Sequence, residues 1–164
     1  MRKRPYSAFL SELEEPLVAN IFDVANYILR TVGAMSTLKL QKLTYYCQAW
    51  SLAWTKTPLF VEDFEAWSNG PVNPKLFKYF QGEYIVEQVG SNKLSKKLTT
   101  EDIKKINTVI ESYGDFSGAE LSSMTHAEQP WVSARGGLPN GVPCSSIITK
   151  ESMLSYYSSL INRK

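Results

Sequence analysis

The stretch LKLQKLTYYCQAWSLAW, residues 38–54, holds too many large apolar side chains for a surface helix and too many amides for a plainly apolar core helix. Wound at 3.6 residues per turn, it sets Leu40, Leu43, Cys47, Trp50 and Trp54 on one seam and Gln41, Tyr45, Gln48 and Leu52 on a second, roughly opposite. Ser36 or Thr37 can cap its start, and the Thr57-Pro58 pair stops it near Lys56, because the residue before a proline disfavours helical geometry. A helix of about 19 residues runs roughly 28 Å, nearly the width of a small domain. Such a rod, apolar on two flanks, belongs at the centre of whatever the chain builds.

The remaining segments supply smaller pieces to surround it. Pro16 suits the first turn of a helix on which Val18, Ile21, Phe22, Ala25, Ile28, Leu29 and Val32 recur at spacings of three and four, with Gly33 able to stop it. Thr99 or Thr100 can cap a third long helix, where Glu101 and Asp102 meet the positive end of the dipole and Ile103, Ile106, Val109 and Ile110 form the stripe up to Gly114. Ser117 with Glu120 makes a capping box ahead of Leu121 and Met124. Thr125 and Glu128 repeat that spacing, but Pro130 arrives too soon for a helix to run through it, so a turn and a restart at Pro130-Trp131 are expected. Thr149 opens a last helix with Met153, Leu154, Tyr157, Leu160 and Ile161 inward, after a loop GGLPNGVP (136–143) unfit for regular structure.

Extended structure is sparse. Asn69-Gly70-Pro71 and Asn73-Pro74 mark tight turns, Phe64 and Ala66 read as a short extended piece, and residues 74–80 as a brief helix. Residues 84–89 alternate weakly, which predicts a short strand paired with residues 60–66. The expected fold is therefore mainly α (α+β): a single compact helical domain over residues 16–164, built around the central helix, with a small antiparallel β element. Residues 1–15, polar and mixed in charge, read as a loosely docked arm.

Composition excludes more than it selects. A length of 164 residues with 43% hydrophobic content builds one core, and a formal charge of +2 argues against nucleic-acid binding by whole-molecule electrostatics. Lys93, Lys96, Lys97, Lys104 and Lys105 cluster, but Glu101 and Asp102 interleave them as on a solvated face. No apolar run approaches a membrane span of ~20 residues and the start MRKR leads into an acidic run, so the expectation is a cytoplasmic protein without membrane association. One histidine, His126, and two distant cysteines, Cys47 and Cys144, supply neither a metal site nor a nucleophile with its base, and the 136–143 loop lacks the lysine of a phosphate loop. Neither an enzyme nor a cofactor is expected.

Two features keep a second meaning. Buried and unpaired, Gln41 and Gln48 would each cost about 1–3 kcal/mol, so either they bond to turns around Asn69 or His126, or they face a groove open to a partner. Trp67 beside the rigid Gly70-Pro71 turn either plugs the core or presents an anchor at an interface, and Trp131 after Pro130 carries the same ambiguity. The candidate partner-binding residues are Gln41, Tyr45, Gln48, Trp67, Asn69, Gly70, Pro71, His126 and Trp131.

Three motifs in order, LKLQKLTYYCQAW, EAWSNGPVNP and LSSMTHAEQPW, resemble the Panacea antitoxin domain family, which includes SocA-like antitoxins and phage-associated GepA-like proteins. The resemblance spans Val24 to the final helix and falls on Leu40, Gln41, Lys42, Leu43, Tyr45, Tyr46 and Trp50, then Ala66, Trp67, Gly70, Pro71 and Val72, then His126, Pro130 and Trp131. Thr44 and Cys47 depart from it, standing where an aliphatic residue and alanine are more usual. The resemblance implies a helical, non-enzymatic protein of bacteria and mobile elements that neutralises a cognate protein toxin by binding it. Its alternative is an adaptor passing a client to a protease, or a DNA-binding regulator, using the arm or the lysine cluster.

Overall fold

The computed structural model describes residues 18–91 and 93–161, and within them seven helices surround two small antiparallel sheets. Helix α1 spans Ile21–Val32, strand β1 Met35–Ser36, and the central helix α2 Thr37–Thr55. Then come β2 (Phe64–Trp67), β3 (Gly70–Val72), α3 (Pro74–Tyr79) and β4 (Ile85–Val86). The chain continues through α4 (Thr100–Tyr113), α5 (Gly118–His126), α6 (Gln129–Ala134), β5 (Ile147–Ile148) and α7 (Lys150–Ile161).

Local chemistry sets most of these limits. The Ser36 hydroxyl accepts from the Lys39 amide to start α2, and Lys56 in the left-handed conformation ends it. Asn20, Thr99 and Ser117 each form a full capping box, with Asp23, Asp102 and Glu120 reaching back to the cap amide. Helix α6 begins without a side-chain cap at Glu128 and uses Pro130 in its first turn, so the expected break and restart is present. Pro16 and the arm over residues 1–15 lie outside the described residues, but the expected opening at Pro16 does not hold: residues 18–20 are not helical, Val18 is exposed rather than on the apolar stripe, and the Asn20 capping box starts the helix at Ile21.

Helix α2 is the axis. Helices α1, α4, α5 and α7 and strand β3 all pack against it, and every residue from 40 to 49 is buried. The two seams thus merge into an all-round core surface rather than one apolar and one open flank. The ends differ: Trp50 is half-buried against Tyr157 and Trp54 reaches solvent.

The β element needs one correction. Residues 84–89 do not pair with residues 60–66; Ile85 and Val86 pair with Ser36 and Met35, and the Thr37 amide donates to the Tyr84 carbonyl. Strand β2 has no free edge to offer, because β3 holds one side (Glu65 opposite Val72, Ala66 opposite Pro71, Trp67 opposite Gly70) and β5 the other (Phe64 opposite Ile148, Glu65 opposite Ile147).

Candidate partner-binding face

The β2–β3 hairpin turns through Ser68 and Asn69 and is lashed to the helices by its own carbonyl oxygens. Arg135 Nη1 donates to Ala66 at 2.9 Å, Trp131 Nε1 to Trp67 at 2.8 Å, and the Ser122 hydroxyl to Asn69. Lys42 Nζ donates to Pro71 at 2.9 Å and Gln41 Nε2 to Asn73 at 3.1 Å. The Gln41 bond is reciprocal, since Asn73 returns its amide to Oε1 at 2.9 Å, while the Asn73 side chain caps α3 through the Leu76 amide. Four carbonyls of one short hairpin, and that of Asn73 just after it, are thereby held by side chains of α2 and α5, of α6, and of Arg135 at the end of α6.

Lys42 is the least expected member of this set. It is fully buried, and no ion pair to it exists among the described residues. Burial pushes its amine down to about 7. The turn is shaped around it: Gly70 has φ +107°, and a Cβ there would sit 2.5 Å from Lys42 Cε and 2.9 Å from Thr125 Oγ1. The neighbouring charges are also basic. His126 is held below its usual range by burial, then by Lys42 and Arg135, against a backbone bond to Ser68. Its ring stacks on Trp131 at 4.0 Å, and Arg135 Cζ lies 4.9 Å from the Trp131 ring centre.

The nine candidate residues divide sharply. Tyr45 and Gln48 are enclosed, with Gln48 bonding backbone at Leu59 and Phe60 (Nε2 to the Phe60 carbonyl at 2.7 Å) and Tyr45 packed edge-on against Phe64. Gln48 therefore braces the segment after α2 rather than a turn near Asn69 or His126. Gly70, Pro71 and Trp131 are buried supports, and His126 is half-buried against Trp131. Trp67 is half-buried and Asn69 exposed, and with Gln41 these two line a cleft of about 150 Å³ between the start of α2, the hairpin and α3. Leu38, Leu40, Val72, Leu76 and Phe80 give it an apolar wall, Thr37 and Ser68 add hydroxyls, and Phe77, 44% exposed and edge-on to Trp67 at 5.0 Å, stands at its mouth.

Sequence reasoning missed Leu38 and Phe77 as surface groups and Lys42 and Arg135 as buried ones. The lysine cluster is engaged in part: Lys105 Nζ bonds Ser51 and Thr55, and Lys104 pairs with Glu101 at 3.6 Å. Among the described residues no group of three or more His, Cys, Asp or Glu could hold a metal ion, and no helix is long and apolar enough to cross a membrane.

The domain is thus built on one enclosed rod and presents a fastened hairpin beside an apolar cleft. The family model described as antitoxin SocA-like, Panacea domain, matches residues 40–132, which run from the core of α2 through the hairpin to α6, and the chain belongs to that family. It is similar to antitoxin SocA of Caulobacter vibrioides (strain NA1000 / CB15N), with 29% identity over 134 residues covering 72% of this chain and 71% of that protein. No solved structure matches.

Proposed function

We propose that this chain is the antitoxin of a toxin–antitoxin pair and that it neutralises its cognate toxin by direct, stoichiometric protein–protein contact. Membership of the SocA-like family supports the antitoxin role. The observation that carries the route is the hairpin face: Trp67 and Phe77 offer aromatic surface around an apolar cleft, on a backbone already fixed by five side-chain bonds. Aromatic anchors on a rigid support lose little entropy on binding, and such anchors dominate interface energetics. Of the candidate residues, Trp67 and Asn69 make the contact and the buried Gln41 lines the cleft while bracing Asn73, whereas Tyr45, Gln48, Gly70, Pro71, His126 and Trp131 hold the surface in shape.

The test is co-expression with the small reading frame adjacent to this gene. The expected outcome is that this frame kills when expressed alone and is harmless with the wild-type chain. Paired Trp67→Ala and Phe77→Ala substitutions abolish protection while the variant keeps its helical circular dichroism and its melting temperature within a few degrees. Full protection by that folded variant would remove the face from the reading; an adjacent product harmless on its own would remove the antitoxin role.

A further inference from the structure

We infer that the cleft beside the hairpin receives an acidic segment of the partner, carrying one large apolar side chain that fills the cleft. This assignment rests on the reading of the hairpin face as the toxin-contacting surface and supplies the partner's chemistry. The cleft wall is apolar and of a size for one side chain, and the lining residues include no charged group. Asn69, Ser68 and Thr37 are among the lining residues, and their carboxamide and hydroxyls are suited to bonding an extended backbone rather than to excluding it.

Charge decides the sign of the occupant. The segments that build the cleft, residues 37–42 and 66–82, contain Lys39, Lys42, Lys75 and Lys78 and no aspartate or glutamate. Lys42 lies behind the turn, but burial favours its neutral form, so the charge at the rim comes from Lys78, exposed on the helix that carries Phe77. Two lysines are partly compensated. Lys39 is held on the Gly114 carbonyl at 2.6 Å within reach of Glu120, and Lys75 opens onto a separate depression beside Glu62, Asp63 and Glu65. Trp67, bonded to Glu65 at 2.8 Å, stands between that acidic side and the cleft. An apolar recess whose own lining carries no carboxylate, with the exposed Lys78 beside its mouth, attracts a carboxylate-flanked anchor more than a lysine-flanked one.

The probe is a fluorescein-labelled peptide in which glutamates flank a single phenylalanine, titrated against the full chain by anisotropy. The acidic peptide binds, and replacing its phenylalanine by alanine, or its glutamates by lysines, weakens it at least about tenfold. Lys78→Glu weakens it several-fold and flattens its salt dependence, whereas Lys78→Arg does not. Equal or tighter binding of the lysine-flanked peptide, or no binding of the acidic one, overturns the assignment. So does a large gain in affinity on converting Glu12, Glu14 and Glu15 to Gln, which would show the chain's own acidic run to be the occupant. If both peptides fail while Phe77→Ala still abolishes protection by co-expression, the acidic partner is wrong and the toxin-contacting face stands. If Phe77→Ala and Leu38→Asp, each folded, both protect fully, the face itself is wrong.

Discussion

Lys42 places an amine in the interior with one carbonyl bond and no carboxylate, a costly arrangement that folding accommodates by favouring the neutral form. The sign follows from the direction of the shift. Between about 7, the folded value, and 10.5, the ordinary value of a lysine, the unfolded chain binds the extra proton, so stability rises with pH across that window, by at most about 1.4 kcal/mol per pH unit. Burial alone sets the direction; His126, itself held below its usual range by burial and then by Lys42 and Arg135, is neutral across that window. Urea unfolding of wild type between pH 7 and 9 shows this slope, and Lys42→Met removes it; an unchanged slope would mean that the amine stays charged inside. Gly70→Ala is expected to cost about 1–3 kcal/mol, from positive φ and from the Cβ that meets Lys42 Cε, read as a lower urea midpoint. Lys42 was hidden in the sequence because a lysine within a helical pattern ordinarily marks the wet side. Its signal was indirect: from residue 40 to 52 no stretch is polar enough to be a wet side, and residues 24–61 contain no acid to pair with it.

At the level of elements, the caps were readable because they are local. Ser36, Thr99 and Ser117 start helices in the structure where their side-chain chemistry says they should, and the Pro130 restart follows from proline's missing donor. The strands in residues 64–66 and 84–89 were readable as extended pieces, but β5 and the choice of partners were not. Ile147–Ile148 and Ile85–Val86 are two residues each, and their partners lie more than two turns of sequence away, so nothing in their own composition selects an edge. Arg135 ties these pieces together by binding Ala66 in β2 and the Pro139 and Val142 carbonyls of the 136–143 loop. Arg135→Ala leaves buried oxygens unpaired and is expected to destabilise by about 3 kcal/mol. Hydrogen exchange localises the effect, with amides of β2 and β5 losing protection before those of α2. Uniform loss across the molecule would show that the loop and strands do not open separately.

Taken as one body, the molecule closes around aromatic rings. Tyr45, Tyr46 and Tyr157 converge between α2 and α7, and Glu128 accepts from Tyr46 at 2.7 Å and from Tyr157 at 2.8 Å. Burial drives all three phenols above their usual range, so above pH 10 the unfolded chain sheds protons that the folded chain retains, and stability falls. Burial raises the Cys47 thiol as well, so from about pH 9 upward it, and then the phenols, oppose the lysine gain, and stability stops rising before pH 10. Alkaline titration checks it: the absorbance of these enclosed tyrosinates develops in step with loss of helical circular dichroism, not ahead of it. Tyr45→Ala, which empties the centre of the cluster, is expected to cost about 3–5 kcal/mol by thermal or urea unfolding. The hairpin on this body is already fastened along its length, so it has little rearranging to do when another molecule lands on it. Encounter rate at that face is then governed by collision in the right orientation, and rival ligands differ chiefly in how long they stay.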